Sequence, residues 1–187
     1  MKLILASASP RRRELLNMVT TDFSVEAAVG DEVTTETLPH KVVMQLAYNK
    51  AKEVAGRHPH QVVLGCDTVV VHDGHILGKP HSKQQAYDML SSLSGNAHEV
   101  YTGVALVCDD KSMLFYDRSE VVFHTLTKQQ IDSYIATGSP MDKAGAYGIQ
   151  DSGFVSRIEG SYYNVVGLPV ELICNRLQEF LDSLNTN

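Results

Sequence analysis

Gln61-Val62-Val63-Leu64-Gly65-Cys66-Asp67-Thr68-Val69-Val70-Val71 is apolar and β-branched along almost its whole length. A run with no polar alternation reads as a strand covered on both faces. Asp67 interrupts it. Aspartate is depleted in strands, and an ionised carboxylate is costly to bury without a partner. Asp67 therefore requires a metal ion, cations or a catalytic role. Cys66 points to the opposite face and reads as a core filler, not a nucleophile.

Downstream, Asp73-Gly74 is a two-residue hairpin signal, so Ile76 to Pro80 returns antiparallel and brings Lys79 alongside Asp67. His72 and His75 flank the turn as exposed residues. Ser82 with Gln85 makes a capping box for a helix that buries Ala86, Met89, Leu90 and Leu93 and ends at Gly95. His98 to Cys108 and Met113 to Leu126 read as two long strands about the turn Asp109-Asp110-Lys111. Thr127 with Gln130 caps the next helix, which Gly138 ends. The segment 138–151 has few helix or strand credentials but carries Asp142, Lys143, Gly145, Gly148 and Gln150. Glycines let backbone approach a ligand, and the Asp-Lys pair could hold metal and phosphate; a plain loop would look much the same. Phe154 to Glu159 reads as a strand, Gly160 to Gly167 as a loop, and Pro169 opens a last helix buried through Ile173, Leu177, Phe180 and Leu184.

Upstream, Pro39 opens a helix whose inner face is Val43, Ala47, Ala51 and Val54, and Gly56 ends it. Lys50 falls within that stripe, where a lysine more commonly snorkels than functions. Before it lie a short strand at Phe23 to Val25 and an acidic loop with Asp31, Glu32 and Glu36. The sequence opens as strand, loop and helix: Leu3 to Ala6, then Ser7-Ala8-Ser9, then Pro10-Arg11-Arg12-Arg13-Glu14-Leu15-Leu16. Ser9 suits an N-cap and Pro10 the first helical position, so three arginines occupy the first turn. The helix dipole disfavours cations there by roughly 0.3–1 kcal/mol each, and the first-turn N–H groups are unsatisfied donors. Arg11 and Arg12 share the face of Leu15 and Leu16, while Arg13 turns outward. We read a phosphate-binding turn; the bland alternative is a solvated basic patch with Glu14 as partner.

The whole chain, 187 residues with 43% hydrophobic and 20% charged content, is ordinary for a soluble globular protein. Strands and helices alternate with hairpins among them, which predicts an α/β fold with a mixed sheet. A net charge of −6, no basic run beyond the first helix and no Trp argue against nucleic acid as partner. No run approaches the length of a membrane span, and three scattered cysteines fit a reducing cytoplasm. The collected cations Arg11, Arg12, Lys50, Lys79 and Lys143, with Glu32, Asp67 and Asp142 and the hydroxyls of Ser7, Ser9 and Thr68, describe a polyphosphate site. Hard carboxylates of this kind suit Mg²⁺ or Mn²⁺. No GxxxxGK[ST] is present, which disfavours a P-loop enzyme.

Several of these motifs together carry a family resemblance. Ser7-x-Ser9-Pro10-Arg11-Arg12-x-Glu14-Leu15-Leu16, Gly65-x-Asp67-Thr68-Val69-Val70, Leu77-Gly78-Lys79-Pro80, His98-x-Val100-x-Thr102-Gly103-Val104, Pro140-Met141-Asp142-Lys143-Ala144-Gly145-Ala146-Tyr147-Gly148-Ile149-Gln150 and Asn164-Val165-Val166-Gly167-Leu168-Pro169 resemble, in order, the Maf family of nucleoside triphosphate pyrophosphatases. The resemblance spans nearly the whole chain and implies one Maf-like domain over 1–187. It implies an inosine triphosphatase-like architecture, a long mixed sheet flanked by helices, with two lobes and a central cleft. The implied reaction is cleavage of the α–β phosphoanhydride of a nucleoside triphosphate to the monophosphate and pyrophosphate, with Asp67 as proton acceptor. Arg11, Thr68 and Gln150 map to the substrate-discriminating positions and resemble the subgroup acting on dTTP and UTP, modified pyrimidines included. Ser7, Arg12, Lys50, Lys79 and Lys143 map to the phosphate environment, and Glu32 with Asp67 to the divalent metal. Asp151 departs from the pattern, standing where many relatives have glycine. A homodimer and a link to septum formation also belong to the family, so the rival reading is a nucleotide-binding regulator of division without turnover.

Overall fold

The computed structural model describes residues 2–186. Its elements are, in chain order, β1 (Leu3–Leu5), α1 (Pro10–Leu16), β2 (Phe23–Val25), α2 (Pro39–Ala55), β3 (Val62–His72), β4 (His75–Leu77), α3 (Lys83–Leu93), β5 (Ala97–Cys108), β6 (Lys111–Phe123), α4 (Lys128–Ala136), α5 (Ile149–Ser152), β7 (Val155–Glu159), α6 (Tyr162–Val166) and α7 (Val170–Leu184). The apolar run around Asp67 is β3, buried without a break from Val62 to Asp67. Among the described residues the sheet has seven strands in the order β2-β1-β3-β5-β6-β7, with β4 paired to β3. It is mixed, as expected. β1 runs parallel to both β2 and β3, while β4 on β3 and β7 on β6 are antiparallel.

The chain forms two compact units, each assembled from separate segments. The first takes the described residues up to Asp67, Thr102–Asp117 and those from Gly167 onward; the second takes Thr68–Tyr101 and Arg118–Val166. In the first, Ile4, Ala6, Val63, Ala105 and Val107 from the strands pack with Ala47, Ala51 and Val54 of α2. Two glycines bring α2 and the sheet into backbone contact. A Cβ on Gly65 would lie 2.1 Å from the Ala47 carbonyl oxygen, and one on Gly103 would lie 2.4 Å from the Val43 carbonyl carbon.

The second unit is centred on Leu90, Leu93, Val121, Ile131, Phe123, Tyr134, Tyr147 and Phe154. Its rings meet edge to face, with centroids 4.7 Å apart for Phe123 and Tyr147 and 5.0 Å for Tyr134 and Phe154. His98 belongs to this core at 2% exposure, its Nε2 2.7 Å from the Tyr147 hydroxyl. Burial pushes the His98 imidazole down to about 4 and the Tyr147 hydroxyl upward, so both are neutral at physiological pH.

Local chemistry explains where elements differ from expectation. Thr127 and Gln130 complete their capping box, whereas at Ser82 only half forms: Ser82 Oγ accepts the Gln85 N–H, but Gln85 Oε1 accepts the His81 N–H. The expected strand to Leu126 stops at Phe123 because the Leu126 N–H is taken by Ser94 Oγ at 2.7 Å. Gly160 to Gly167, expected as a loop, contains the single helical turn α6. Ser161 Oγ accepts the Asn164 N–H and starts the turn. The segment 138–151 folds as two 3₁₀ turns, Ser139–Asp142 and Ala144–Ala146, leading into α5.

Candidate active site

Asp67 is 7% exposed on β3 and its carboxylate is paired: Lys50 Nζ donates to Oδ1 at 2.6 Å. The same ammonium lies 2.8 Å from Glu32 Oε1. Gly65 explains the reach of Lys50. Gly65 and Asp67 share the face of β3 that meets α2, and with no side chain at Gly65 the helix turn bearing Lys50 comes against that strand. The lysine in the helix stripe, the aspartate in the strand and one acid of the loop thus converge on one point. Glu32 is the exposed end of this set, its side chain 52% exposed against 16% for Lys50.

The N-terminal turn forms as its residues dictate. Ser9 is the N-cap of α1, accepting the Arg12 N–H, and Pro10 is its first residue. Arg11 and Arg12 are half-buried and Arg13 is exposed, the division expected from helical spacing. Arg12 braces the turn: its Nε donates to the Gly167 carbonyl at 2.9 Å and its Nη1 to the Cys66 carbonyl at 2.9 Å, with Ser7 Oγ at 3.4 Å. Ser7 is buried and also accepts the Ser9 N–H. Buried Cys66 donates its thiol to the Gly167 carbonyl, and burial pushes its pKa up, consistent with a core residue.

The remaining expected residues lie in the second unit. Thr68 is half-buried on β3. Pairing of β4 with β3 ends at Leu77 opposite Val70, so Lys79 lies beyond the ladder and is exposed. Its loop is tied to the 138–151 segment by the Gly145 N–H donating to the Gly78 carbonyl at 3.0 Å. Gly145 sits at φ 67° with Val70 against it, where a Cβ would come within 2.8 Å of a Val70 methyl. Lys143 spends its ammonium inside the segment, on the Ser139 carbonyl (2.7 Å), Ser139 Oγ (2.8 Å) and Asp142 Oδ1 (2.8 Å). Gln150 is exposed in α5. Asp151 beside it accepts from the Tyr134 hydroxyl at 2.9 Å and from the Ser139 hydroxyl, and Tyr134 in turn accepts the Gly148 N–H at 2.9 Å. Asp151, next to Gln150 in α5, thus ties that turn to Tyr134 and Ser139.

The first unit's carboxylates suit a divalent ion. Glu32 and Asp67 already place oxygens around one cationic centre, the Lys50 ammonium. Among the described residues no cluster of three or more His, Cys, Asp or Glu could hold a metal unaided. One or two carboxylates completed by phosphate oxygens is the usual environment of Mg²⁺. Two residues escaped the sequence reading: Asn49 and Glu53, whose side chains hold the acidic loop to α2. The signal was present as the polar i, i+4 stripe Gln45, Asn49, Glu53 and Arg57.

A family model described as Maf-like protein matches residues 2–180. The dTTP/UTP pyrophosphatase of Bacillus mycoides is 48% identical over 182 residues, covering 96% of this chain and 95% of that protein. The dTTP/UTP pyrophosphatase of Bacillus cytotoxicus is 50% identical over the same length and the same shares. Among solved structures, the Staphylococcus aureus Ham1 protein aligns with a TM-score of 0.54 over 98% of this chain and 99% of its own, at 11% identity. That likeness is one of fold. Among the described residues no helix is long and apolar enough to cross a membrane.

Proposed function

Because this chain belongs to the Maf-like family, we propose that it hydrolyses dTTP and UTP at the α–β phosphoanhydride, releasing the monophosphate and pyrophosphate. The observation that carries the mechanism is the Glu32–Lys50–Asp67 constellation, an acid buried in an apolar strand and held by a cation. Asp67 is the proton acceptor. Lys50 fixes Oδ1, and the other oxygen, Oδ2, takes the proton of the attacking water as its oxygen bonds to phosphorus and the bond to the bridging oxygen breaks.

Charge on the phosphates is met by Lys50, Lys79 and Lys143 and by the turn of Ser7 and Arg12, where hydroxyl and guanidinium lie together at the start of a helix. For Lys143 this entails exchanging contacts to Ser139 and Asp142 for phosphate oxygens. Arg11, Thr68 and Gln150 discriminate the base, for pyrimidine triphosphates with or without base modification. Glu32 and Asp67 would hold Mg²⁺ or Mn²⁺, which would supply neutralisation of phosphate charge. We take residues 1–187 as one functional domain acting on a small phosphorylated ligand.

The test is pyrophosphate release from dTTP, UTP, CTP, GTP, 7-methyl-GTP and ITP, with and without Mg²⁺ or Mn²⁺. Metal-dependent turnover favouring dTTP and UTP is the expected result. Turnover of purines in their place refutes the assignment of Arg11, Thr68 and Gln150. Binding without any turnover refutes the enzyme and leaves a nucleotide-binding regulator.

A further inference from the structure

The segment from Glu26 to Glu36 has no helix or strand, yet it must present Glu32 at a fixed point. Apolar contact contributes through Ala28, which packs against the core of the first unit, but the segment's two valines face solvent, Val29 at 87% exposure and Val33 at 65%. Polar groups on one face of α2 hold it. Glu53 accepts two successive backbone donors, the Val29 N–H on Oε1 and the Gly30 N–H on Oε2, each at 2.9 Å. Asn49 Nδ2 donates to the Val33 carbonyl at 3.1 Å, and Gln45 Nε2 fixes Asn49 through its Oδ1 at 2.7 Å. Arg57 closes the far end, bonding Glu53 Oε1 at 3.2 Å and Glu26 Oε1 at 2.7 Å. Glu32 lies between the points fixed by Glu53 and Asn49, and Lys50 of the same helix pairs with it. The backbone N–H groups of Val29 and Gly30, then Arg57, hold the Glu53 carboxyl below its ordinary range. Gly30 fits closely as well, for a Cβ there would lie 2.9 Å from Glu53 Oε2.

We propose that Glu53 and Asn49 are positioning residues that clamp the 28–33 loop to α2 and so set the affinity of Glu32 for a divalent cation. The proposal rests on the reading of Glu32 as a metal ligand. Groups that orient a ligand without touching the metal change affinity by about 10-fold to 100-fold when removed.

The test uses full-length Glu53→Gln and Asn49→Ala proteins, with Glu32→Gln beside them and folding checked by circular dichroism. Mn²⁺ binding is titrated on protein saturated with a non-hydrolysable dTTP analogue, which supplies the phosphate oxygens, amide hydrogen exchange is followed over 28–33, and the Mn²⁺ dependence of turnover is measured. The expected result is weaker Mn²⁺ binding by about 10-fold or more in the clamp variants, faster exchange at Val29 and Gly30, and kcat recovered at saturating Mn²⁺. Unchanged Mn²⁺ binding in the clamp variants, where Glu32→Gln weakens it, overturns the clamp alone. Unchanged binding in Glu32→Gln overturns the reading of Glu32 and the proposal with it.

Discussion

Replacing Gly65 with alanine tests whether backbone contact between strand and helix sets the catalytic geometry. The added methyl carbon would lie 2.1 Å from the Ala47 carbonyl oxygen, 2.8 Å from the Ala51 nitrogen and 2.9 Å from the Ala51 Cβ. The first of these is roughly 1.3 Å short of the 3.4 Å at which ordinary contact begins, and the obstacles are mainly backbone. Helix α2 must move outward by about that distance and carry Lys50 with it. Overpacking of this kind costs about 1–3 kcal/mol of stability. A hydrogen bond of 2.6 Å between Lys50 and Asp67 does not survive such a retreat, and misplacement of a catalytic group by about 1 Å lowers turnover by roughly 100-fold. The assay is kcat for dTTP at saturating metal beside urea unfolding, with Gly78→Ala as control, since a Cβ at Gly78 meets nothing within 4 Å. Native turnover and native stability in Gly65→Ala would refute the reasoning; loss in both variants would show general fragility in place of a specific contact.

Other expectations follow from single groups. Asp67→Asn keeps the shape of the side chain but cannot accept a proton, so turnover falls by about 100-fold to 10,000-fold while dTTP binding, followed by calorimetry, persists. His98 is held near 4 in the folded state and returns to about 6.5 when unfolded, so between these values the unfolded chain binds more protons. Stability is lost as pH falls through that window, by about 2 kcal/mol at pH 5 relative to neutral pH, and urea titrations of His98→Phe should lack this part of the slope. Asp151→Ala removes the acceptor of the Tyr134 and Ser139 hydroxyls, lowering the unfolding free energy by about 1 kcal/mol. It should also reduce the preference for dTTP over GTP, read from kcat/KM; an unchanged ratio would separate Asp151 from base selection.

Legibility in the sequence followed how local each cause was. Asp67 stood out because one carboxylate within a β-branched run is itself an anomaly, and α1 was readable because Ser9, Pro10 and the arginines act within a single turn. Lys50 looked ambiguous until folding put Asp67 2.6 Å away, since a lysine in a helix stripe carries no record of its partner. The role of Gly65 was invisible for the same reason: its meaning lies in Ala47 and Ala51, on another element. Arg12 was rightly turned inward by spacing, but its acceptors are the carbonyls of Cys66 and Gly167, and backbone acceptors leave no mark in composition. Glu53 and Asn49 escaped the sequence reading because what they hold is a loop, whose path the sequence did not specify.

The bond from Arg12 to the Gly167 carbonyl spans 155 positions, and the unit around it gathers residues up to Asp67, Thr102–Asp117 and those from Gly167 onward. On the ribosome this order matters. The turn bearing Ser7 to Arg13 emerges before either segment of the second unit, yet one of its braces is made only after the whole second unit has been synthesised. Chains normally fold domain by domain as they leave the tunnel. Here the first unit is not complete until the stretch from Gly167 arrives. A nascent chain stalled short of Gly167 should therefore hold Arg12 through the Cys66 carbonyl and Ser7 but lack the bond from its Nε.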